Sequence, residues 1–190
     1  LPAGFASAST STMPLAANLH AVDIGFKKKH MDLSAAMVMF KDWTYRVGYS
    51  RDVRDGTRPT TGSFFASAAQ LVAPVDQVTD QIEVSAAYAS AGLQASLAYQ
   101  LSRFSNNVDS LTWDSAFWPV VSGATRGQMA MAPDNQLHQI VGSAGYDVTP
   151  SIRASADFAY GRLTQNASYL APTLNAALAP SVGALPAQSL

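Results

Sequence analysis

The stretch TDQIEVSAAYASAGLQASLAYQLSR, residues 79–103, decides the fold. In its first half apolar and polar residues alternate, so that Ile82 and Val84 lie on one face of a strand while Gln81 and Glu83 lie on the other. The second half repeats the alternation after a short connection, Ser-Ala-Gly. Two such runs joined by a hairpin-length connection with glycine predict an antiparallel pair of strands that has one apolar face and one polar face.

The same alternation recurs along the chain in stretches of about ten residues, the length a tilted strand needs to cross a bilayer. The connections between them alternate between short and long, as the periplasmic turns and external loops of outer-membrane barrels do. The pattern predicts an all-β fold, an antiparallel transmembrane β-barrel, of which this chain supplies about six or seven strands. The clearest predicted strands are Thr79–Ala89, Leu93–Arg103, Asn135–Val148 and Ile152–Leu163, and the weaker ones are Leu19–Lys28, Leu33–Phe40 and Thr44–Val53.

The composition agrees with a membrane protein that crosses the bilayer with strands. Only 13% of the residues are charged, against roughly 25% in soluble domains, and no apolar run is long enough for a transmembrane helix. A soluble β-sandwich would alternate as well, but the low charge and the small residues on the polar face favour a barrel. The net charge of −1 and the lack of a basic tract give no support to nucleic-acid binding.

The organisation predicted from these features has three parts. Residues 1–17 are expected to form a loop, residues 18–170 a barrel segment with long external loops near 54–78 and 104–134, and residues 171–190 a loop or linker. Single-chain bacterial barrels have at least about eight strands, and neither end of the chain resembles a leader peptide or an aromatic-terminated closing strand. We therefore expect an internal piece of a larger protein.

Tyrosines on the apolar face fall near the ends of the predicted strands. Tyr88 and Tyr146 come shortly before tight turns, whereas Tyr99 and Tyr160 come well after them. Aromatic side chains gather at the two membrane–water interfaces. The spacing therefore predicts two aromatic girdles, one at each surface of the membrane.

Three groups of motifs carry a resemblance to a known family. They are Arg-Asp-Gly-Thr-Arg-Pro at 54–59, the run from Ser102 to Asp114, and the pair Ala132–Gln139 and Tyr160–Asn166. Their order and spacing over roughly residues 18–170 resemble the MtrB/PioB family of decahaem-associated outer-membrane proteins.

This resemblance implies a non-enzymatic barrel that sheathes a periplasmic multihaem c-type cytochrome. The pair would form a transmembrane electron conduit for extracellular electron transfer. The chain has no cysteine, which excludes covalent c-type haem attachment to it, and the resemblance places the haem on the partner cytochrome. Without the resemblance, a general diffusion porin or transporter barrel fits the sequence equally well.

No catalytic or metal site is predicted, because His20, His30 and His138 are far apart and none has a metal-ligand spacing. The polar face could instead contact a cytochrome in the lumen, line a water-filled interior or pair its own charges. The partner-binding candidates on this face are Arg46, Gln81, Glu83, Gln94, Gln100, Arg153 and Asp157. The loop aromatics Trp113, Phe117 and Trp118 could dock an extracellular cytochrome or pack the loop over the barrel mouth.

Overall fold

Antiparallel strands make up most of the protein in the computed structural model, which describes residues 1–2, 4–5, 7–18, 20–64, 67–117, 122–165, 167–181 and 183. Two 3₁₀ turns, Thr10–Thr12 and Ala179–Ser181, and one α-helical turn, Leu15–Asn18, lie outside the strands. None of the helices in these ranges is long and apolar enough to span a membrane. The strands are β1 (Phe26–Met39), β2 (Trp43–Phe64), β3 (Ser67–Ala89), β4 (Leu93–Asn106), β5 (Ser110–Asp114), β6 (Arg126–Ala130), β7 (Asn135–Thr149) and β8 (Ile152–Thr164).

The main sheet has six strands in the order β1-β2-β3-β4-β7-β8, and β5 and β6 form a separate pair. Every neighbouring pair is antiparallel. Residues directly opposite each other share a face, and the register puts Arg46 opposite Ser85, then Ser85 opposite Ala98. The alternation within each strand therefore adds up to two continuous faces, as predicted. The sheet is open, as expected for part of an outer-membrane barrel.

The first strand differs from the prediction. The sequence suggested two short strands, Leu19–Lys28 and Leu33–Phe40, but the structure has one strand, β1, which pairs with β2 from Phe26 to Met39. In the sequence, the basic run Lys27–Lys29 interrupts the apolar pattern and looks like a solvated turn. In the structure, the run belongs to β1 and extends the strand beyond its apolar part. A tight turn at Lys41 and Asp42 joins β1 to β2.

The segment 54–78 is also not the irregular loop that the sequence suggested. β2 and β3 continue through it and remain paired as far as Phe64 and Ser67. Here the period-two signal is lost, and Pro59 and Pro74 look like strand breakers. Among the described strands, β2 beyond Gly56 pairs with β3 alone, so a proline can point its missing N–H toward the free edge.

The segment 104–134 contains the hairpin β5–β6, which packs against the β2–β3 extension. The indole of Trp113 lies against Gly62 of β2 and Gly127 of β6. A Cβ added at Gly127 would overlap it, and one added at Gly62 would lie 3.0 Å from it and overlap the Leu71 side chain. This contact favours the packing role over the docking role for Trp113. Phe117 is half-buried, and Trp118 lies outside the described residues.

The buried apolar side chains lie in the β2–β3 extension and in the segment 104–134, and not where all six strands of the main sheet run side by side. The buried apolar residues in the described ranges are Ala73, Val75 and Met131. The buried Asn106 side chain donates to the carbonyl oxygens of Val108 and Ala132, at 3.0 and 2.8 Å. The β2–β3 extension, the hairpin and the segment near residue 175 therefore form one packed assembly at the long-loop end of the sheet, which we call the cap.

Asn175 fastens the last of these segments to the hairpin. Its Oδ1 accepts the backbone N–H groups of Thr125 and Arg126 at 3.0 and 2.9 Å, and its Nδ2 donates to the Arg126 carbonyl at 2.8 Å. Asn175→Ala should remove these part-buried hydrogen bonds, at a cost of about 0.5–1.5 kcal/mol each. We expect faster proteolysis within 167–181 and an unchanged sheet. The control is Asn18→Ala, which removes a side-chain hydrogen bond to the Pro14 carbonyl outside the cap. Equal proteolysis of the two variants would contradict this role.

Candidate functional site

One face of the main sheet is apolar and uncovered. Large apolar side chains on it are more than half exposed, among them Leu33 at 60%, Leu97 at 53% and Phe158 at 56%. In a protein that met water on this side, an apolar surface of this size would be unusual. A row at mid-height shows its continuity across all strands: Met37, Tyr45, Ala86, Leu97, Gly142 and Phe158.

The apolar face has the height of a bilayer core. On β4 it runs from Leu93 to Leu101, which is about 27 Å along the strand at about 3.4 Å per residue and somewhat over 20 Å once the strand is tilted as in a barrel. Near the tight turns Trp43 packs against Tyr88, with ring centroids 5.2 Å apart. At the other end Tyr99 and Tyr160 share a row, since both are opposite Ile140. These rows match the two predicted girdles.

A row of polar and charged residues ends the apolar face on the long-loop side. Arg51 is opposite Asp80, Asp80 is opposite Arg103, and Arg103 is opposite Gln136. The Arg51 guanidinium lies 3.2 Å from the Asp80 carboxylate, which also accepts the Tyr49 hydroxyl at 2.6 Å. Charges at this height mark the level at which the sheet leaves the hydrocarbon.

The opposite face carries all the partner-binding candidates that the sequence singled out. Glu83 is directly opposite Gln100, and between them and the tight turns the face is built mainly from small residues such as Ser96 and Ser143. The candidates fall into two groups. At mid-height are Arg46, Gln81, Glu83 and Gln100, and nearer the tight turns are Gln94, Arg153 and Asp157. Whether these residues bind a partner stays a prediction.

The group near the tight turns is held together by hydrogen bonds. Arg153 donates to the Gln94 side-chain oxygen at 2.8 Å and lies 3.4 Å from the Asp147 carboxylate. The hydroxyls of Ser96 and Ser143 are 2.7 Å apart. They line a shallow cavity of about 430 Å³ with Arg153 and Asp157. The arrangement is a polar, low-relief surface that another molecule could approach closely.

The structure adds a polar cluster that sequence reasoning missed. On the same face, at the long-loop end, Asp52 lies 3.0 Å from both the Lys28 ammonium and the His30 Nδ1. The alternation Lys28, His30, Asp32 is the signal for this cluster. The predicted strand Leu19–Lys28 ends inside the basic run, and so it separates Lys28 from His30. The cluster extends the polar face beyond the level of Arg51.

The other histidines do not converge with His30. His138 lies on the apolar face, with its Nδ1 2.7 Å from the Tyr99 hydroxyl and its Nε2 2.8 Å from the Gln136 amide nitrogen. In the ranges that the structure describes, no group of three or more His, Asp and Glu side chains is arranged to hold a metal ion.

An exposed apolar face of bilayer height, aromatic rows at both ends, a polar reverse face and alternating short and long connections define a segment of an outer-membrane β-barrel. Comparison with known proteins agrees. The family model described as "Putative outer membrane beta-barrel porin, MtrB/PioB" matches residues 1–190. The outer membrane protein MtrB of Shewanella baltica (strain OS185) is 30% identical over 159 residues, 83% of this chain. The chain belongs to the MtrB/PioB family.

The aligned region covers only 23% of the Shewanella protein. The chain therefore spans about a quarter of the length of this relative. Both edge strands of the main sheet, β1 and β8, have one side without a described neighbour. Open edges are not stable in lipid, so a closed barrel needs further strands against both of them.

Proposed function

We propose that this chain forms part of the wall of an outer-membrane barrel that encloses a multihaem c-type cytochrome, so that the two together conduct electrons across the membrane. Family membership and the two-faced sheet support the proposal. The observation that carries it is the reverse face, which presents polar side chains among small residues over the height of the bilayer. A protein surface can lie against such a wall without leaving large voids.

Each face would have its own part in the conduit. The apolar face, with Leu97 at its centre, would hold the wall in the hydrocarbon. The polar face would bind the cytochrome through hydrogen bonds and ion pairs, for which Glu83 and Arg153 are exposed. The haems, bound to the partner, would supply the electron transfer. The wall itself would be non-enzymatic and would separate the haems from lipid and ions.

The haem is assigned to the partner because of the chemistry of its attachment. Covalent c-type attachment uses the thiols of a C-x-x-C-H motif, and this chain contains no cysteine.

The outer part of the barrel, formed by the cap, is where an extracellular cytochrome would dock.

A diffusion porin is the second candidate, favoured by the description of the family as a porin. In that case the same polar face would be wetted by a water-filled lumen. The two candidates differ in what fills the barrel, and so they differ in colour and in conductance.

The test is a visible spectrum of the native protein, purified in mild detergent. We expect the Soret and α bands of c-type haem to co-elute with this chain. A matched pair of variants locates the contact. Ser96→Trp adds bulk to the polar face and should lower the haem content several-fold, whereas Leu97→Trp, on the lipid face, should leave it unchanged. A colourless barrel that conducts ions in a planar bilayer would contradict the conduit and support the porin.

A further inference from the structure

We infer that the outer face of the sheet carries a binding site for a phosphate group of an outer-leaflet glycolipid, with Arg103 and Arg162 as its cations. The inference is independent of what fills the barrel. It concerns the lipid side of the wall and rests on the position, surroundings and charge of these two residues.

Their position puts them at the right level of the membrane. Arg103 and Arg162 lie on the apolar face at its long-loop end, just beyond the row that contains Tyr99 and Tyr160. In outer-membrane barrels the long connections are external, so this end faces the outer leaflet. The outer leaflet of the bacterial outer membrane is composed of glycolipid with phosphorylated sugar headgroups, and the headgroups begin where the hydrocarbon ends.

The register brings the two arginines within reach of one headgroup. Arg103 is opposite Gln136, and Arg162 is opposite His138, two residues further along the same strand. Neighbouring strands are about 4.8 Å apart, so two arginine side chains separated by two strands can reach the same headgroup. Gln136 lies on the strand between them, and Thr164 follows Arg162 on β8 in the row of Arg103. The side chains of Gln136 and Thr164 could bind sugar hydroxyls.

A cleft is already present at this level. Arg103, Gln136 and Thr164 line a cavity of about 330 Å³ at the ends of β4, β7 and β8. Asp134 also lines it, but the Asp134 Oδ1 accepts the backbone N–H of Asn106 at 2.7 Å.

Among the described residues where the apolar face ends on β4 and β8, Arg103 and Arg162 are cations without an ion pair. Arg51, in the same row, is paired with Asp80 at 3.2 Å, and Asp80 is also the neighbour of Arg103 on β3. In the part of the chain that the structure describes, neither Arg103 nor Arg162 has a carboxylate within ion-pair distance. Further toward the cap, Lys27 and Lys29 lie on the same face, as do the acidic residues Asp55 and Asp76. Arginine binds phosphate bidentately, and cations next to an anionic leaflet favour binding to it.

The test measures lipid retention by the native protein in detergent micelles. The probe is bis-phosphorylated lipid A, and the control lipid is the same glycolipid without phosphates. Arg103→Gln/Arg162→Gln should weaken binding of the phosphorylated lipid, by about fivefold for each arginine, and should not affect the control lipid. Arg54→Gln is the matched control variant, because Arg54 lies beyond the same end of the hydrocarbon but on the opposite face, paired in register with Lys28.

The outcomes separate the alternatives. Loss of binding in the double variant alone supports the site, and partial recovery in Arg103→Lys/Arg162→Lys, which keeps both charges, excludes misfolding as the cause. Equal binding by wild type and double variant would overturn the inference, as would equal loss in Arg54→Gln. Competition by excess inorganic phosphate as strong as that by the lipid would overturn its lipid part, because the ligand would then be free phosphate.

Discussion

Leu97→Arg is expected to destabilise the folded barrel in a bilayer by about 2–4 kcal/mol, the cost of an arginine at the bilayer midplane on a lipid-facing strand. Leu97 lies in the middle row of the apolar face and is 53% exposed. Its side chain has lipid as its main neighbour. An arginine there must pull lipid headgroups or water into the hydrocarbon, or stretch toward the interface.

The matched variant is Ala98→Arg, one residue along the same strand. Ala98 lies on the polar face, opposite Ser85 and Val141, so an arginine there meets the lumen. In the barrel without an enclosed partner, its effect on the free energy of unfolding should be within about 0.5 kcal/mol, as for other surface substitutions. The measurement is reversible denaturant unfolding of that partner-free barrel in lipid vesicles, followed by tryptophan fluorescence. Equal destabilisation by the two variants would contradict the assignment of the faces.

Gly127→Ala is expected to loosen the cap by about 1–3 kcal/mol, the usual cost of overpacking. A Cβ at Gly127 would overlap the indole of Trp113, the residue directly opposite on β5. The indole cannot move aside freely, since Gly62 lies at its other side. The hairpin β5–β6 should therefore separate from the β2–β3 extension while the main sheet stays intact.

Limited proteolysis of the intact protein checks this expectation, because cleavage within 104–134 should accelerate by one or two orders of magnitude. Gly92→Ala is the control, since an added Cβ there has nothing within 4 Å. A double-mutant cycle with Trp113→Ala identifies the cause. If the clash with the indole is responsible, Gly127→Ala should cost nothing further in the Trp113→Ala background. An undiminished cost would place the strain elsewhere.

The transmembrane part of the fold could be predicted from the sequence, and so could the fact that the partner-binding candidates all lie on the polar face. Where the six strands of the main sheet lie in the hydrocarbon, the apolar face meets lipid and the polar face does not, so each strand there repeats the same period of two. The hairpin 79–103 is the clearest case. Since a shift of one residue would exchange the faces of a whole strand, the alternation determined which face each residue occupies, and Arg46, Glu83 and Asp157 fall together as a result.

The parts outside the hydrocarbon could not be predicted in the same way. In β1 around Lys28, and in β2 and β3 around Pro59 and Pro74, both faces of the strands leave the lipid, and so nothing forces a contrast between alternate residues. In these segments the turn-forming residues predict a loop because the alternation is weak, but the structure shows that the strands continue. The cluster of Lys28, His30 and Asp52 was missed for this reason.

The class of protein, the strands within the membrane and the two faces of the wall follow from the sequence, because the bilayer imposes its contrast on each strand locally. Which residues become neighbours across strands follows from the tertiary structure alone. Arg103 and Arg162 are 59 residues apart in sequence, but the register places them two strands and one row apart on the same face. Trp113 between two glycines is a second case. Such contacts depend on strand order and register, which no local pattern contains.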